Sequence, residues 1–181
     1  MELEEYVKEH LPTALNRIIQ SDRANVLPDL SIYEKAIIFA YTDTQNNQHQ
    51  ALNELLWASK GTEITDFGVF LEATLDKLDS YNGMVFRGVQ SAYFDVELYM
   101  KAYENKTILT EYTFLSASKF QIIAQGFGNV LFKIYGKNAK SVELISKFGR
   151  EKEVIFQRNT SFKVVKITNS GFFPIITLKE I

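Results

Sequence analysis

Between residues 3 and 80 the apolar positions recur at helical spacing, and beyond Gly83 they gather into short runs of strand character. Phe67, Phe70, Leu71, Leu75 and Leu78 stand at i, i+3, i+4, i+8 and i+11, one face of a helix with Asp66 as its candidate N-cap. Ser31 and Glu34 have the spacing of a capping box ahead of residues 33–41, a segment apolar nearly all round and so expected to be a buried helix. Residues 3–19 predict an earlier helix, interrupted or restarted at Pro12. Asn46-Asn47-Gln48 predicts the start of a further short helix reaching Leu55.

The second half has a different texture. Met84-Val85-Phe86 is a short apolar strand ending in Arg87-Gly88, and residues 130–135, 154–156, 162–167 and 172–178 are rich in β-branched and aromatic side chains. Pro174 inside the last run points to an edge strand, where a missing N–H does little harm. Residues 91–104 read as one helix set among the strands. Helices followed by strands, without βαβ alternation, predict an α+β fold. We expect a helical N-terminal half packed on a mixed or antiparallel β-sandwich core. With 181 residues this is a single domain over 1–181, mainly helical over 1–80 and mainly strands over 83–181.

Composition narrows the function more than the fold. Nine Tyr and fourteen Phe provide the bulk for a core. A net charge of −2, with no basic stripe, argues against a domain that grips nucleic acid through its phosphates. The absence of cysteine removes disulfides, thiolate metal sites and a cysteine nucleophile together. His10 and His49 are read as surface residues, so no metal is expected. The start, Met1-Glu2-Leu3-Glu4-Glu5, is acidic and unlike a signal peptide, and no apolar run reaches the roughly 20 residues of a membrane helix. The expectation is a protein acting in the cytoplasm, or secreted or translocated by a route that needs no such leader.

Three short segments can carry chemistry. In Val85-Phe86-Arg87-Gly88-Val89, an arginine ending a strand can hold a phosphate while Gly88 admits a close backbone approach; it can equally be a surface arginine at a strand end. In Thr113-Phe114-Leu115-Ser116-Ala117-Ser118, the two serines point to one side if extended, where one could orient a carboxylate; Ser118 can equally be the N-cap of the helix that follows. In Gly149-Arg150-Glu151-Lys152-Glu153-Val154, Glu151 and Glu153 should project from one face of a strand at its start. Two like charges there repel unless a cation lies between them; the alternative is a solvated face neutralised by Arg150 and Lys152.

Taken in order, Arg-Gly after a strand, Ser-x-Ser and Glu-x-Glu entering a strand resemble the arginine-serine-glutamate class of mono-ADP-ribosyltransferases, bacterial toxin-like and arginine-specific. The likeness covers most of the chain and is closest over residues 151–164. It implies an ADP-ribosyltransferase-like fold and transfer of ADP-ribose from NAD+, a consumed substrate, to an arginine of a target protein, without a metal. It further implies that Arg87 binds the NAD+ phosphates with Gly88, that Ser116 holds Glu153, and that Ser118 and Phe127 help to bind NAD+. Glu153 becomes the catalytic glutamate facing the nicotinamide ribose, and Glu151 faces the acceptor arginine. Residues 146–150, with Phe148 and Arg150, become the loop that presents the target. Phe127 is alternatively a core residue. The chain departs from the pattern in reading Ser-Ala-Ser and in lacking an arginine between Ser118 and Arg150, so a second phosphate contact falls to Lys119 or to backbone. An NAD+ glycohydrolase on the same scaffold, or a non-catalytic interaction domain, are the competing readings.

Overall fold

In a computed structural model that describes residues 1–45, 47–170 and 173–181, the chain forms two compact units. The first comprises residues 1–79 and 141–150, the second residues 80–140 and 151–181.

The first unit is helical. α1 (Leu3–His10) and α2 (Pro12–Ile19) are separate helices, with Pro12 at the first position of α2, where its missing N–H leaves nothing unsatisfied. α3 (Ile32–Thr42) begins at the expected capping box: the Glu34 N–H donates to Ser31 Oγ at 3.2 Å and the Ser31 N–H donates to the Glu34 carboxylate at 2.8 Å. Burial pushes the Glu34 carboxyl up, but these bonds and the Lys77 ammonium at 2.6 Å outweigh it and hold it below its ordinary value. α3 is buried from Glu34 to Thr42, as an all-round apolar helix should be. α4 (Gln48–Ala58) follows; Asn46, the expected start of that helix, lies outside the described residues. α5 (Asp66–Asp76) has Thr65 as its N-cap, not Asp66, because the Thr65 hydroxyl accepts from the Gly68 N–H at 3.1 Å. Phe67, Leu71 and Leu75 of α5 are buried with Leu52 and Leu56 of α4 and Ile37 of α3 among the core residues of this unit.

The second unit carries the strands. They are β1 (Ser80–Val89), β2 (Ile108–Glu111), β3 (Leu115–Ser118), β4 (Val130–Ser141), β5 (Glu153–Phe156), β6 (Thr160–Ser170) and β7 (Phe173–Glu180). They pair in the order β1-β3-β5-β4-β7-β6-β2, with a further pairing of β1 and β4. β4 and β7 run parallel, whereas β1–β3, β1–β4, β3–β5, β6–β7 and β2–β6 are antiparallel, so the sheet is mixed as expected. β7 is not an edge strand, contrary to the reading of Pro174: it lies between β4 and β6. The proline is tolerated because the β4 ladder begins only at Ile175, opposite Leu131, so no bond from residue 174 to β4 is forfeited. Phe172, the expected first residue of that strand, lies outside the described residues. The single helix expected over 91–104 is a short 3₁₀ turn and then α6 (Val96–Asn105), separated because Asp95 caps the Leu98 N–H at 3.1 Å. Val85, Ile134, Val154, Phe156 and Ile176 are among the buried residues of this core.

Candidate active site

Arg87, Ser116, Ser118 and Glu153 are brought together by three neighbouring strands. In the β3–β5 ladder Ser118 stands directly opposite Glu153 and Ser116 opposite Ile155, so both serines share a face with the glutamate, Ser116 one diagonal step away. β1 meets β3 where Phe86 stands opposite Ser118, and the next residue, Arg87, donates from Nη1 to the Ser116 carbonyl at 2.7 Å. Glu153 is 8% exposed at the first position of β5, so its carboxylate sits inside the fold, not on a solvated face.

The two serines do different work. Ser118 Oγ donates to the Glu151 carbonyl at 2.6 Å and accepts from the Phe120 N–H at 3.0 Å. A hydroxyl carries one proton, so with this one spent on Glu151 only Ser116 has a serine proton to offer Glu153. The N-cap reading of Ser118 is half met: its oxygen receives an amide two residues on, ahead of α7 (Gln121–Gln125), whose flanking residue Phe120 has no side-chain cap.

Glu151 is not on a strand with Glu153. It ends a 3₁₀ turn, Gly149–Glu151, and β5 starts only at Glu153. Between them Lys152 has φ 50°, the left-handed region that side-chain-bearing residues seldom adopt. That residue breaks the two-residue alternation, so the expected shared face does not exist. The turn is held from the end of β3 and the residue after it: besides the Ser118 hydroxyl, the Lys119 N–H donates to the Lys152 carbonyl at 3.1 Å. Desolvation raises the Glu151 carboxyl above its ordinary value.

Around this centre the unit supplies a cation, an aromatic and a tight backbone contact. One Arg87 nitrogen, Nε, is buried and has no hydrogen-bond partner among the described residues. Tyr99 of α6 packs its ring on Phe132, the β4 residue opposite Arg87, at 4.9 Å between centroids; burial keeps its phenol protonated far above the usual range. Gly88 allows a close approach, but to protein: an added Cβ would meet the Ala124 carbonyl oxygen of α7 at 1.9 Å. Gly128 is the matching position, where a Cβ would lie 2.1 Å from the Val89 backbone. Phe127 follows α7 and is 53% exposed, which removes the core reading and leaves its ring accessible. Lys119 Nζ lies over the Tyr81 ring, 4.7 Å from its centroid, a partner that sequence reasoning missed.

The expected target loop belongs to the helical unit and is described there. Phe148 is 39% exposed and Arg150 is exposed. The Arg23 guanidinium threads this segment, with Nε donating to the Ile145 carbonyl at 3.0 Å and Nη2 to the Ser146 carbonyl at 3.0 Å and the Lys147 carbonyl at 3.3 Å. Lys147 adds an N–H bond to Thr42 Oγ1 at 2.9 Å and an ion pair with Asp43 at 2.5 Å. Its ammonium also lies over the Phe148 ring, 5.4 Å from the centroid. Arg23, Thr42 and Asp43 carry no local signal: more than a hundred residues separate them from the loop they hold.

Comparison with known proteins bears on the family and the fold. The family model described as NAD:arginine ADP-ribosyltransferase matches residues 23–181. The protein named NAD(+)-arginine ADP-ribosyltransferase Mav, from Mycobacterium avium, is 33% identical over 101 residues, 54% of this chain and 12% of its own length. The one named Vis, from Vibrio splendidus, is 24% identical over 151 residues, 75% of this chain and 59% of its own. The chain thus spans less than two thirds of the length of either relative. Among solved structures, Exoenzyme S from Pseudomonas aeruginosa, in complex with human 14-3-3 protein beta and bound to carba-NAD, superposes with a TM-score of 0.77 at 18% identity, covering 98% of this chain and 86% of that one. Vis in complex with agmatine gives 0.64 at 20% identity, with the same coverage of 98% and 86%. These likenesses establish the ADP-ribosyltransferase fold. Among the described residues no helix is long and apolar enough to cross a membrane, and no group of three or more His, Asp or Glu side chains could hold a metal ion.

Proposed function

The chain belongs to the NAD:arginine ADP-ribosyltransferase family, and on that premise we propose that it cleaves NAD+ between nicotinamide and ribose and transfers the ADP-ribose to an arginine of a target protein. The observation that carries this reading is the buried Glu153 at the start of β5, opposite one serine of the Ser-x-Ser strand and diagonal to the other. A carboxylate fixed beside the ribose stabilises the positive charge that grows there as the bond breaks, more than it stabilises the ground state. Nicotinamide leaves with the bonding pair. The arginine nitrogen forms the new bond to the same carbon, and one guanidinium proton is released.

Glu151 serves the acceptor. A guanidinium is a poor nucleophile until it loses a proton, and a nearby carboxylate both positions it and takes that proton. The raised carboxyl of Glu151 suits a proton acceptor better than an ordinary surface carboxylate would. Arg87 takes the NAD+ phosphates: its buried, unpartnered Nε fits an anion brought in by the substrate. Ser116 holds Glu153, Gly88 sets β1 against α7, and the exposed Phe127 is placed to stack on nicotinamide. Phe148 and Arg150 contact the target. Agmatine, bound by the similar Vis protein, is an arginine analogue, and carba-NAD, bound by Exoenzyme S, is an NAD+ analogue; both support this assignment.

The test is incubation with labelled NAD+ and a cell lysate, followed by mass spectrometry of the labelled residues. Label on arginine with stoichiometric nicotinamide release is expected. Nicotinamide release without any labelled protein would favour the glycohydrolase reading, and neither product would sink both.

A further inference from the structure

The bond between Ser118 and the Glu151 carbonyl points to a division of labour within the Ser-x-Ser strand: we propose that Ser118, expected from the resemblance to help bind NAD+, is instead the positioning residue for Glu151, so that it governs transfer to arginine and not cleavage of NAD+. This rests on the transferase reading above. Glu151 has no ladder partner of its own, because it ends a 3₁₀ turn and β5 begins two residues later. The connection runs through Lys152 at φ 50°, a conformation that costs free energy and persists only where neighbouring groups hold it.

Two bonds, one from the last residue of β3 and one from the residue after it, help to hold it. The Ser118 hydroxyl donates to the Glu151 carbonyl at 2.6 Å, and the Lys119 N–H donates to the Lys152 carbonyl at 3.1 Å. The first depends on a side chain, and it is anchored in turn: Ser118 is buried, and its oxygen also receives the Phe120 N–H. Without the hydroxyl, the Glu151 carbonyl loses its donor and the left-handed Lys152 loses one of the bonds that hold the turn around it. Glu153 is differently placed, since its backbone stays in the β3–β5 ladder whatever stands at residue 118.

The test compares Ser118→Ala and Ser118→Thr with the unaltered protein on one preparation each, reading nicotinamide release and label transfer to agmatine. A carboxylate displaced by about an ångström costs on the order of 10²-fold in the step it serves, so transfer by Ser118→Ala should fall at least ~10-fold more than nicotinamide release. Ser118→Thr, which keeps a hydroxyl, should restore the ratio of the two. Equal loss of both activities, or an unchanged ratio, would overturn the proposal. Amide hydrogen exchange gives a readout independent of activity: the Lys119 N–H, bonded across to Lys152, should exchange at least ~10-fold faster in Ser118→Ala as that turn opens. Unchanged protection there also overturns it. Should the unaltered protein release no nicotinamide, the transferase reading fails by itself, and the exchange rates still decide whether Ser118 holds the turn.

Discussion

The strand pair β3–β5 and the segment 141–151 carry neighbouring parts of the proposed chemistry and are fastened in opposite ways. Glu153 sits in a ladder of successive register pairs, from Leu115 opposite Phe156 to Ser118 opposite Glu153, and is nearly buried. The segment from Ser141 has no such ladder beyond the end of β4. It is held by side chains reaching backbone carbonyls: Arg23 on residues 145–147, and Ser118 on Glu151. On the proposed reading, the residue that faces NAD+ is therefore fixed by the sheet. Those proposed to face the acceptor are fastened by side-chain bonds outside the ladder.

The comparison breaks first at Glu153. Glu153→Gln should lower both nicotinamide release and arginine transfer by about 10²- to 10³-fold while circular dichroism stays unchanged. Near-normal nicotinamide release from a folded Glu153→Gln protein would take it out of the catalytic role.

Next in size is Glu151→Gln, which should cut transfer by roughly 10²-fold or more, as expected for loss of a proton acceptor, and leave slow nicotinamide release. Unchanged transfer would return Glu151 to the solvated-face reading.

The pH dependence sharpens the same split. Because burial raises the Glu151 carboxyl, its basic form is lost at a higher pH than an ordinary glutamate's. Transfer should decline as pH falls through that raised value, a titration that Glu151→Gln should remove. The folded state also holds this proton more tightly than the unfolded chain. Its contribution to stability is thus present below the ordinary carboxylate value and is lost as pH rises through the raised one. At neutral pH Glu151→Gln should therefore melt no lower than the unaltered protein. Persistence of that titration in Glu151→Gln would show that it belongs to another group.

The smallest effects belong to the loop's fastening. Arg23→Ala leaves three carbonyls without their donor, worth about 1–3 kcal/mol, and should lower Tm by a few degrees. Transfer to a protein should fall several-fold with nicotinamide release kept. Phe148→Ala should raise KM for a protein acceptor several-fold and leave the small acceptor agmatine nearly unaffected. A matching loss with agmatine would place Phe148 outside target recognition.

Much of the helical unit was legible because its signals are local. The capping box at Ser31 and Glu34, the restart at Pro12 and the all-round apolar α3 each depend on residues within one or two turns of each other. The strands were legible as apolar runs but not as a sheet, because strand order is a matter of long-range pairing: Pro174 looked like an edge marker and stands in an interior strand. Likewise the chain displays Glu-x-Glu, but only the folded turn reveals that Lys152 twists the first glutamate off the strand.

By itself, then, the sequence determined most of the helices, the main strands other than β2, the family resemblance and a set of residues with chemistry to offer, since periodicity, caps and motif spacing are written within short windows. Which serine spends its proton on the Glu151 carbonyl, what else that turn rests on, and which arginine fastens residues 145–147 were decided only by the tertiary structure. Those outcomes turn on hydrogen bonds between residues 33 to 124 positions apart, and a hydroxyl or guanidinium goes to whichever carbonyl the fold sets within reach.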